Sequence, residues 1–401
     1  MNILFLCIYP INVPLHGGQH RASNIVKTYK GLGHSVKVVG VLGSSLYPAE
    51  EGFEPSPPTI EYLSYINDSS LMEDWALSWL FSKNDTYFHA LRKRIIETPD
   101  VIQIEQPWLF PFALRLRNEG YIPKCTKLLY SSQNIEFQLK HQIVKQFRGS
   151  NTADKYSELV KNMELSAFSN ADAITAVSKQ DKEVIEQYCD TPVVVAANGV
   201  AAWTTGRSDI DDANHYVRNQ RYALFCGSAH PPNIKGFFDI FSGGVGCFLP
   251  DQKLVLVGGA SDFIVNNQEF GRSAGLQKCV VSAGAIKQNV LHGLLECAHC
   301  IILPITEGGG TNLKTAEALW AGHYIVATSI AMRGFEQFKD EDGVFIADTS
   351  TAFKQILRHV MNLPALVVTE ESRKRRQKVL WRHLLQPMVE LAENLCEECV
   401  V

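Results

Sequence analysis

The sequence predicts an α/β protein with two Rossmann-like units, each built on a parallel sheet. Short apolar runs alternate with helix-like segments along nearly the whole chain, and this alternation is typical of parallel sheets covered by helices. Glycine-rich turns follow several of the runs. At 401 residues, of which 46% are hydrophobic, the chain is long enough to bury a separate core in each of two domains.

Composition and charge exclude several classes of protein. The formal net charge of −4 gives no case for a nucleic-acid partner. No stretch approaches the roughly 20 apolar residues of a membrane span, and the first residues lack the basic region of a secretory signal. The CxxC-spaced pairs Cys297/Cys300 and Cys396/Cys399 have no matching histidine cluster, which favours plain thiols over a metal or redox centre. We predict a cytoplasmic protein with reduced thiols.

The first unit begins with a strand–loop–helix–strand segment of Rossmann type. A buried strand is predicted at 3–9, a helix from about 19 to 32 and a second strand at 36–41. A GxGxxG fingerprint is missing, so a nicotinamide cofactor is not indicated. Gly17 and Gly18 would let the backbone approach a ligand closely, and Arg21 would reach the same ligand. The alternative is a tight turn beside a solvated arginine.

The remaining elements follow the same rhythm. Further strands are predicted at 100–105, 127–132, 173–177 and 193–196, and in a second series at 222–226, 253–257, 280–281, 301–303, 324–327 and 344–347. Between 71 and 81, apolar residues at partly helical spacing indicate either core or a surface that meets a lipid or a partner. Residues 201–220 are polar and lack an apolar rhythm, which indicates an interdomain connection. The basic run 373–382 is either a solvated helix face or a contact for anionic lipid.

The stretch 301–328 carries the strongest functional signal. A short strand is followed by Gly308, Gly309 and Gly310 and by a helix predicted from Thr311. A helix start after a glycine turn exposes backbone N–H groups that bind anions. Lys314 and Glu317 share one helix face, so the cation can meet a diphosphate while the carboxylate accepts both hydroxyls of a ribose. The pattern predicts a nucleoside diphosphate site; the alternative is a flexible loop beside a surface Lys–Glu pair.

Several motifs in order resemble those of the retaining GT-B glycosyltransferases of the family-4 type, over nearly the whole chain. The matching segments are 17–21, 33–36, 177–178, 198–200, 225–233, 256–259, 284 and 308–319. The resemblance implies two Rossmann-like domains that face a central cleft, with the donor on the second domain, the acceptor on the first, and the last helix crossing back. The implied bounds are 1–200, a linker at 201–220, 221–375 and a closing helix at 376–401.

The resemblance also assigns roles to residues. The catalytic residues are Lys314 and Glu317, which also bind the donor. The other donor-binding residues are Gly227, Ser228, Lys235, Gly258, Gly309, Gly310 and Thr311. The acceptor and diphosphate loop comprises Gly17, Gly18, Arg21, Gln133 and Asn134. Glu105 and Glu136 are candidates for acceptor contacts only.

Two departures from the family pattern stand out. Many members have a glutamate where this chain has Gly309, and a histidine where it has Gln133. No metal or other cofactor is expected, because a helix N-terminus together with Lys314 would be enough to stabilise the leaving diphosphate. We predict transfer of a sugar from a nucleotide-sugar to a glycan or lipid-linked acceptor in surface polysaccharide synthesis, with peripheral contact at the inner membrane face left open. The alternatives are a nucleotide-sugar epimerase or hydrolase, and a non-catalytic partner subunit.

Overall fold

The computed structural model describes residues 1–63, 66, 69–242, 244–308 and 311–397. The chain forms two compact units, Met1–Ala197 together with the segment from Leu384 onward, and Asn198–His383. Gly309 and Gly310, two of the predicted donor-binding residues, lie outside the described residues. No helix in the described ranges is long and apolar enough to cross a membrane.

The first unit is built on a parallel sheet with the strand order β3-β2-β1-β4-β5-β6-β7. Its strands are β1 (Asn2–Cys7), β2 (Ser35–Val41), β3 (Phe53–Glu54), β4 (Val101–Glu105), β5 (Lys127–Ser131), β6 (Ala173–Ala176) and β7 (Val193–Val195). Its helices are α1 (Gly17–Gly31), α2 (Thr59–Leu63), α3 (Ser69–Lys83), α4 (Asp85–Arg92), α5 (Phe110–Asn118), α6 (Glu136–Arg148), α7 (Ser150–Asn170) and α8 (Lys179–Ile185). Strands β4 and β6 are buried along their whole length because helices cover both faces.

The second unit has its own parallel sheet, in the order β10-β9-β8-β11-β12-β13. Its strands are β8 (Arg221–Cys226), β9 (Gln252–Val257), β10 (Val280–Gly284), β11 (Cys300–Leu303), β12 (Tyr324–Ala327) and β13 (Val344–Ile346). Its helices are α9 (Arg207–Val217), α10 (Pro231–Phe241), α11 (Gly259–Val265), α12 (Gln268–Arg272), α13 (Ala274–Cys279), α14 (Gln288–Cys297), α15 (Leu313–Ala321), α16 (Ser350–Val360) and α17 (Glu370–Arg376), with α18 (Trp381–Leu384) at the boundary. The predicted α/β class with two Rossmann-like units is confirmed.

Helix α9 corrects the interpretation of 201–220 as a plain connection. Ala213 and Val217 are buried, and α9 lies so close to α14 that a Cβ on Gly293 would be 2.2 Å from the Asp209 carbonyl oxygen. Two buried positions four residues apart are enough to dock a short helix. They are too few to stand out as an apolar rhythm in an otherwise polar segment.

Helix α3 resolves the alternative for the apolar residues between 71 and 81. Met72, Ala76, Leu77, Leu80 and Phe81 are buried in the first unit. The helix is kinked at Met72, whose φ of −129° is not helical, and this explains the imperfect spacing in the sequence. Leu71, Trp75 and Trp79 on the same helix are half-buried, so the segment is core along one face and partly exposed along the other.

The final helix, α19 (Gln386–Glu397), belongs to the first unit. Its buried face comprises Met388, Val389, Ala392 and Leu395. The basic run before it is partly internal. Arg376 is buried and donates to the Asp342 carbonyl, while Arg375 is paired with Glu341. These two arginines therefore hold the second unit together and are not spare charges for a lipid surface.

Candidate functional site

The switch point of the second sheet lies between β8 and β11. From β8 the chain adds β9 and β10 on one side, and from β11 it adds β12 and β13 on the other. The loops after β8 and β11 therefore diverge and open a crevice at the carboxyl ends of the strands, where ligands of open α/β sheets bind. Gly227 and Ser228 follow β8, and the glycine turn follows β11.

Helix α15 begins in this crevice, two residues later than predicted. The side chain of Asn312 caps it by accepting the Lys314 N–H at 3.2 Å. Thr311 lies before the cap, where its hydroxyl accepts the Asn198 N–H at 3.2 Å and its carbonyl accepts the Asn198 side-chain amide at 3.3 Å. Gly308 has a φ of +127°, and its carbonyl accepts Arg333 at 2.7 Å. Both ends of the described part of this turn are thus anchored.

Lys314 bridges the two sides of the switch point. Its ammonium donates to the side-chain oxygen of Asn233 at 2.9 Å, and the Asn233 amide donates to the Ser228 carbonyl at 3.0 Å. Burial lowers the pKa of Lys314, while the neighbouring Cys226 and Glu317 oppose the shift. A desolvated cation in a crevice interacts strongly with a developing negative charge.

Glu317 stands one turn further along α15. Burial raises the pKa of its carboxyl group to about 7, and Lys314 opposes the shift. Among the described residues, no hydrogen-bond donor or cation contacts the carboxylate directly. A half-buried carboxylate with unused acceptor capacity is suited to the paired hydroxyls of a ribose.

Gly227 and Gly258 directly follow β8 and β9 and lie close to each other. Gly258 has a φ of +89°, and a Cβ there would lie 2.3 Å from the Gly227 carbonyl oxygen. A Cβ on Gly227 would lie 3.0 Å from that of Ala260. Glycine at both positions allows the ends of the two strands to approach each other closely.

Lys235 forms ion pairs with Asp239 and Glu307 in this structure, and its role in donor binding stays a prediction. Its ammonium lies 2.7 Å from the Asp239 carboxylate and 3.4 Å from that of Glu307, on the exposed side of α10. The Asp239 hydrogen bond raises the pKa of Lys235. The charge is therefore balanced locally, and Lys235 does not join the chain from Lys314 to Ser228.

The sequence interpretation missed three residues at this site. Asn233, which was quoted only as part of a motif, joins Lys314 to the β8 loop. His230 precedes α10, and burial together with Lys314 lowers its pKa. Arg333 anchors the glycine turn from the segment after β12. The sequence offered a signal for Asn233, because this residue lies in the first turn of the helix after the Ser228 loop. It offered none for Arg333, which lies in an irregular turn.

The first unit brings its predicted residues together in a buried network. Arg21, only 1% exposed, donates to the Ala196 carbonyl at 2.8 Å and lies 3.5 Å from the Glu105 carboxylate. This corrects the expectation that Arg21 reaches a ligand, because the helix α1 turns it inward. Gln133 donates to the Tyr9 hydroxyl at 2.6 Å and to Glu105 at 3.0 Å.

Gly17 and Gly18 form the first turn of α1, which begins two residues before the predicted start. A Cβ on Gly18 would lie 2.8 Å from the Gln133 side-chain oxygen. The glycine therefore allows α1 to approach the end of β5. Burial raises the pKa of Glu105, which Arg21 opposes.

Asn134 contacts Glu136 at the start of α6. Its amide donates to the carboxylate at 3.3 Å, and Gln106 donates to the same oxygen at 3.1 Å. Burial raises the pKa of Glu136 to about 7. Glu164 on α7 accepts the backbone N–H groups of Glu136 and Phe137 at 3.1 and 3.0 Å, and so caps α6 from outside.

Comparisons with known proteins agree on the fold. Residues 220–362 match the family model described as Glycosyl transferases group 1. The structure of sucrose-phosphate synthase from Thermosynechococcus elongatus covers 98% of both chains with a TM-score of 0.70 and 16% identity. HepE of Anabaena, in complex with UDP, covers 98% of this chain and 100% of its own with a TM-score of 0.65 and 16% identity.

The lipopolysaccharide outer core galactosyltransferase WaaB, in its apo form, covers 100% of both chains with a TM-score of 0.61 and 13% identity. No curated protein matches the sequence. Residues 220–362 of the second unit are therefore similar to group 1 glycosyl transferases, and the two units have the fold of GT-B glycosyltransferases.

Proposed function

We propose that the protein is a glycosyltransferase that moves a sugar from a nucleotide-sugar to a glycan or lipid-linked acceptor, with retention at the anomeric carbon. The observation that carries the proposal is the bridge from Lys314 through Asn233 to the Ser228 loop, with Glu317 one turn along α15. These groups lie at the switch point of the sheet, where a nucleotide is expected to bind. Further support is the match of 220–362 to a glycosyl transferase family.

The chemistry requires a nucleoside diphosphate to leave an anomeric carbon. Negative charge grows on the leaving phosphate, and the ammonium of Lys314 with the N-terminal N–H groups of α15 stabilises it. Glu317 holds the ribose hydroxyls and so fixes the position of the diphosphate. The leaving phosphate takes the proton of the acceptor hydroxyl, so the proposal names no protein nucleophile or base.

The acceptor and the pathway are the finer part of the proposal. The likeness to a lipopolysaccharide galactosyltransferase supports a role in surface polysaccharide synthesis. The likeness to a protein solved with UDP supports a nucleoside diphosphate as the donor's leaving group.

The proposal is tested with Glu317→Ala and the control Glu296→Ala, an exposed glutamate on α14. A panel of UDP, GDP and ADP is screened by thermal shift, because a ligand that binds only the native state raises its stability. We expect one diphosphate to raise the Tm of the wild type and of Glu296→Ala. For Glu317→Ala the affinity should fall about 10- to 100-fold, which corresponds to about 1.5–3 kcal/mol for hydrogen bonds to a charged group.

Unchanged affinity and turnover in Glu317→Ala would contradict the proposal. The epimerase or hydrolase alternative is separated by incubating the nucleotide-sugar alone. An epimerase or hydrolase consumes it without an acceptor, whereas a transferase requires one for rapid turnover. A chain that binds none of the diphosphates would instead support a non-catalytic subunit.

A further inference from the structure

The first unit contains a cavity of about 270 Å³ at the carboxyl ends of β1 and β2. Tyr9 follows β1, Ser44 and Tyr47 lie in the loop after β2, and all three line the cavity. Pockets for drug-sized ligands begin at about 300 Å³, so this one suits a ligand of the size of a single sugar ring. Ser44 contributes a hydroxyl, and the rings of Tyr9 and Tyr47 contribute aromatic surface. The Tyr9 hydroxyl already accepts the Gln133 amide, and the Tyr47 hydroxyl lies 3.2 Å from the His16 ring.

The lining of the cavity also includes three charged side chains, Glu73, Asp74 and Lys140. The ammonium of Lys140 donates to both oxygens of Asp74, at 2.9 and 2.8 Å, and to the Leu71 carbonyl at 2.9 Å. These contacts account for all three protons of the ammonium. Glu73 adds a second carboxylate to the lining. Lys140 is the cation among the described lining residues, and its three protons are already used.

The pairing of Lys140 with Asp74 disfavours the binding of an anionic ligand. Lys140 is 9% exposed and also lies 5.5 Å from the Trp108 ring. A phosphate could pair with it only by displacing Asp74, which would leave a half-buried carboxylate without its cation. A ligand hydroxyl can instead donate to the carboxylates without disturbing the pair. Discrimination by such a like-charge element is a common device for specificity.

We propose that this cavity is the acceptor subsite and that the Asp74–Lys140 pair makes it select an uncharged, hydroxyl-bearing sugar over a phosphorylated or carboxylated one. That the bound sugar is the acceptor rests on the proposed function, whereas the selectivity for charge rests on the lining of the cavity alone. Asp74 determines this selectivity, because it already pairs with Lys140, the cation that an anionic sugar would need. Ser44 and Tyr47 line the cavity from the loop after β2.

The test measures sugar binding to the full chain by ligand-observed NMR, with the diphosphate identified by the thermal-shift panel present so that the donor site is occupied. The probes are glucose, galactose and mannose and the 6-phosphate of each. We expect at least one neutral sugar to bind, and its 6-phosphate to bind at least 10-fold more weakly. Equal or tighter binding of the phosphates, or no binding of any neutral sugar, overturns the proposal.

Asp74→Asn should reverse the preference, because it releases Lys140 for a phosphate. An unchanged ratio of neutral to phosphorylated sugar in this variant overturns the role of Asp74. The matched variant combines Asp74→Asn with Lys140→Met and should lose the gain for phosphates, since no cation remains. It also shows whether any loss of folding comes from the uncompensated charge.

Ser44→Trp provides an independent test, because residue 44 is half-buried in a loop and the larger side chain fills the cavity. We expect sugar binding to be lost while the diphosphate affinity and the Tm stay unchanged. Sugar binding that persists in this variant places the subsite elsewhere. Diphosphate binding with the wrong sugar selectivity rejects this proposal alone, whereas absent diphosphate binding rejects the proposed function.

Discussion

Lys314 and Glu317 share a desolvated face of α15, and each stabilises the charge of the other. Burial raises the pKa of Glu317 to about 7, so in the free protein the carboxyl is close to half ionised near neutral pH. Accepting two ribose hydroxyls requires the carboxylate form. Binding therefore favours the ionised form, and nucleotide affinity must rise as the pH rises through this pKa.

The first prediction follows at the residue scale. The diphosphate that binds wild type should bind more tightly at about pH 8 than at about pH 6, a unit on either side of the Glu317 pKa. In Glu317→Gln this part of the pH dependence should vanish, because the amide does not titrate. Calorimetry on both proteins checks it, and the titration of the ligand phosphate is common to both. Parallel pH profiles would show that Glu317 does not contact the ligand.

The second prediction compares two lysines that the sequence analysis both assigned to the donor site. Lys314→Met should weaken diphosphate binding about 10- to 100-fold, because a charge-assisted contact worth about 1.5–3 kcal/mol is lost. Lys235→Met should change it little, because Asp239 and Glu307 already neutralise Lys235. Titration calorimetry measures both. An equal loss of diphosphate affinity in the two variants would show that Lys235 also contacts the diphosphate.

The third prediction concerns the buried arginine of α1. Arg21→Met leaves Glu105 buried without its cation, so unfolding free energy should fall by about 3–5 kcal/mol. Lys27→Met, an exposed position on the same helix, should change it by less than about 0.5 kcal/mol. Urea unfolding gives both values. A small effect at Arg21 would mean that neither the ion pair with Glu105 nor the contact with the Ala196 carbonyl contributes much to stability.

At the scale of elements, α10 packs closely against the loop after β11 because residue 236 is a glycine and has no side chain. A Cβ on Gly236 would lie 2.0 Å from the Pro304 carbonyl oxygen, whereas one on Gly271 of α12 would meet nothing within 4 Å. Both glycines are helical. The contact sets the distance between α10 and the loop that leads to the glycine turn.

The fourth prediction uses these two glycines as a matched pair. Gly271→Ala should be neutral or stabilising by about 0.5–1 kcal/mol, the usual gain of alanine over glycine in a helix. Gly236→Ala should lower the unfolding free energy by about 1–3 kcal/mol, because α10 must move away from the backbone. It should also weaken diphosphate binding, since Asn233 is on α10. A Gly236→Ala protein with unchanged melting and binding would show that the loop gives way freely.

At the scale of the whole molecule, the two sheets are separate units, yet the chain returns to the first to complete it. Met388 on α19 is fully buried there, and the amide of Gln103 on β4 donates to its sulfur at 3.4 Å. His34 lies 3.1 Å from Glu393 on the same helix. Helix α19 is therefore part of the first core.

The fifth prediction tests that return. Met388→Ala should lower the stability of the first unit by about 2–5 kcal/mol through loss of buried volume, while Glu390→Ala, at an exposed position of α19, should not. Hydrogen exchange followed by mass spectrometry should show faster exchange in β1, β4 and β5 than in wild type. Faster exchange in β8–β13 alone would contradict the assignment of α19 to the first unit.

The sequence by itself determined the two parallel sheets and the strand and helix within 301–328, because apolar runs and glycine turns act over a few residues. Only the tertiary structure decided the fate of individual charged groups. It turned Arg21 inward to a carbonyl 175 positions away, and it paired Lys140 with Asp74 at a separation of 66. It also balanced Lys235 on its own helix and docked α9 through two apolar side chains. Whether a charge faces a ligand or a neighbour depends on which distant residues share its burial, and local patterns do not encode those residues.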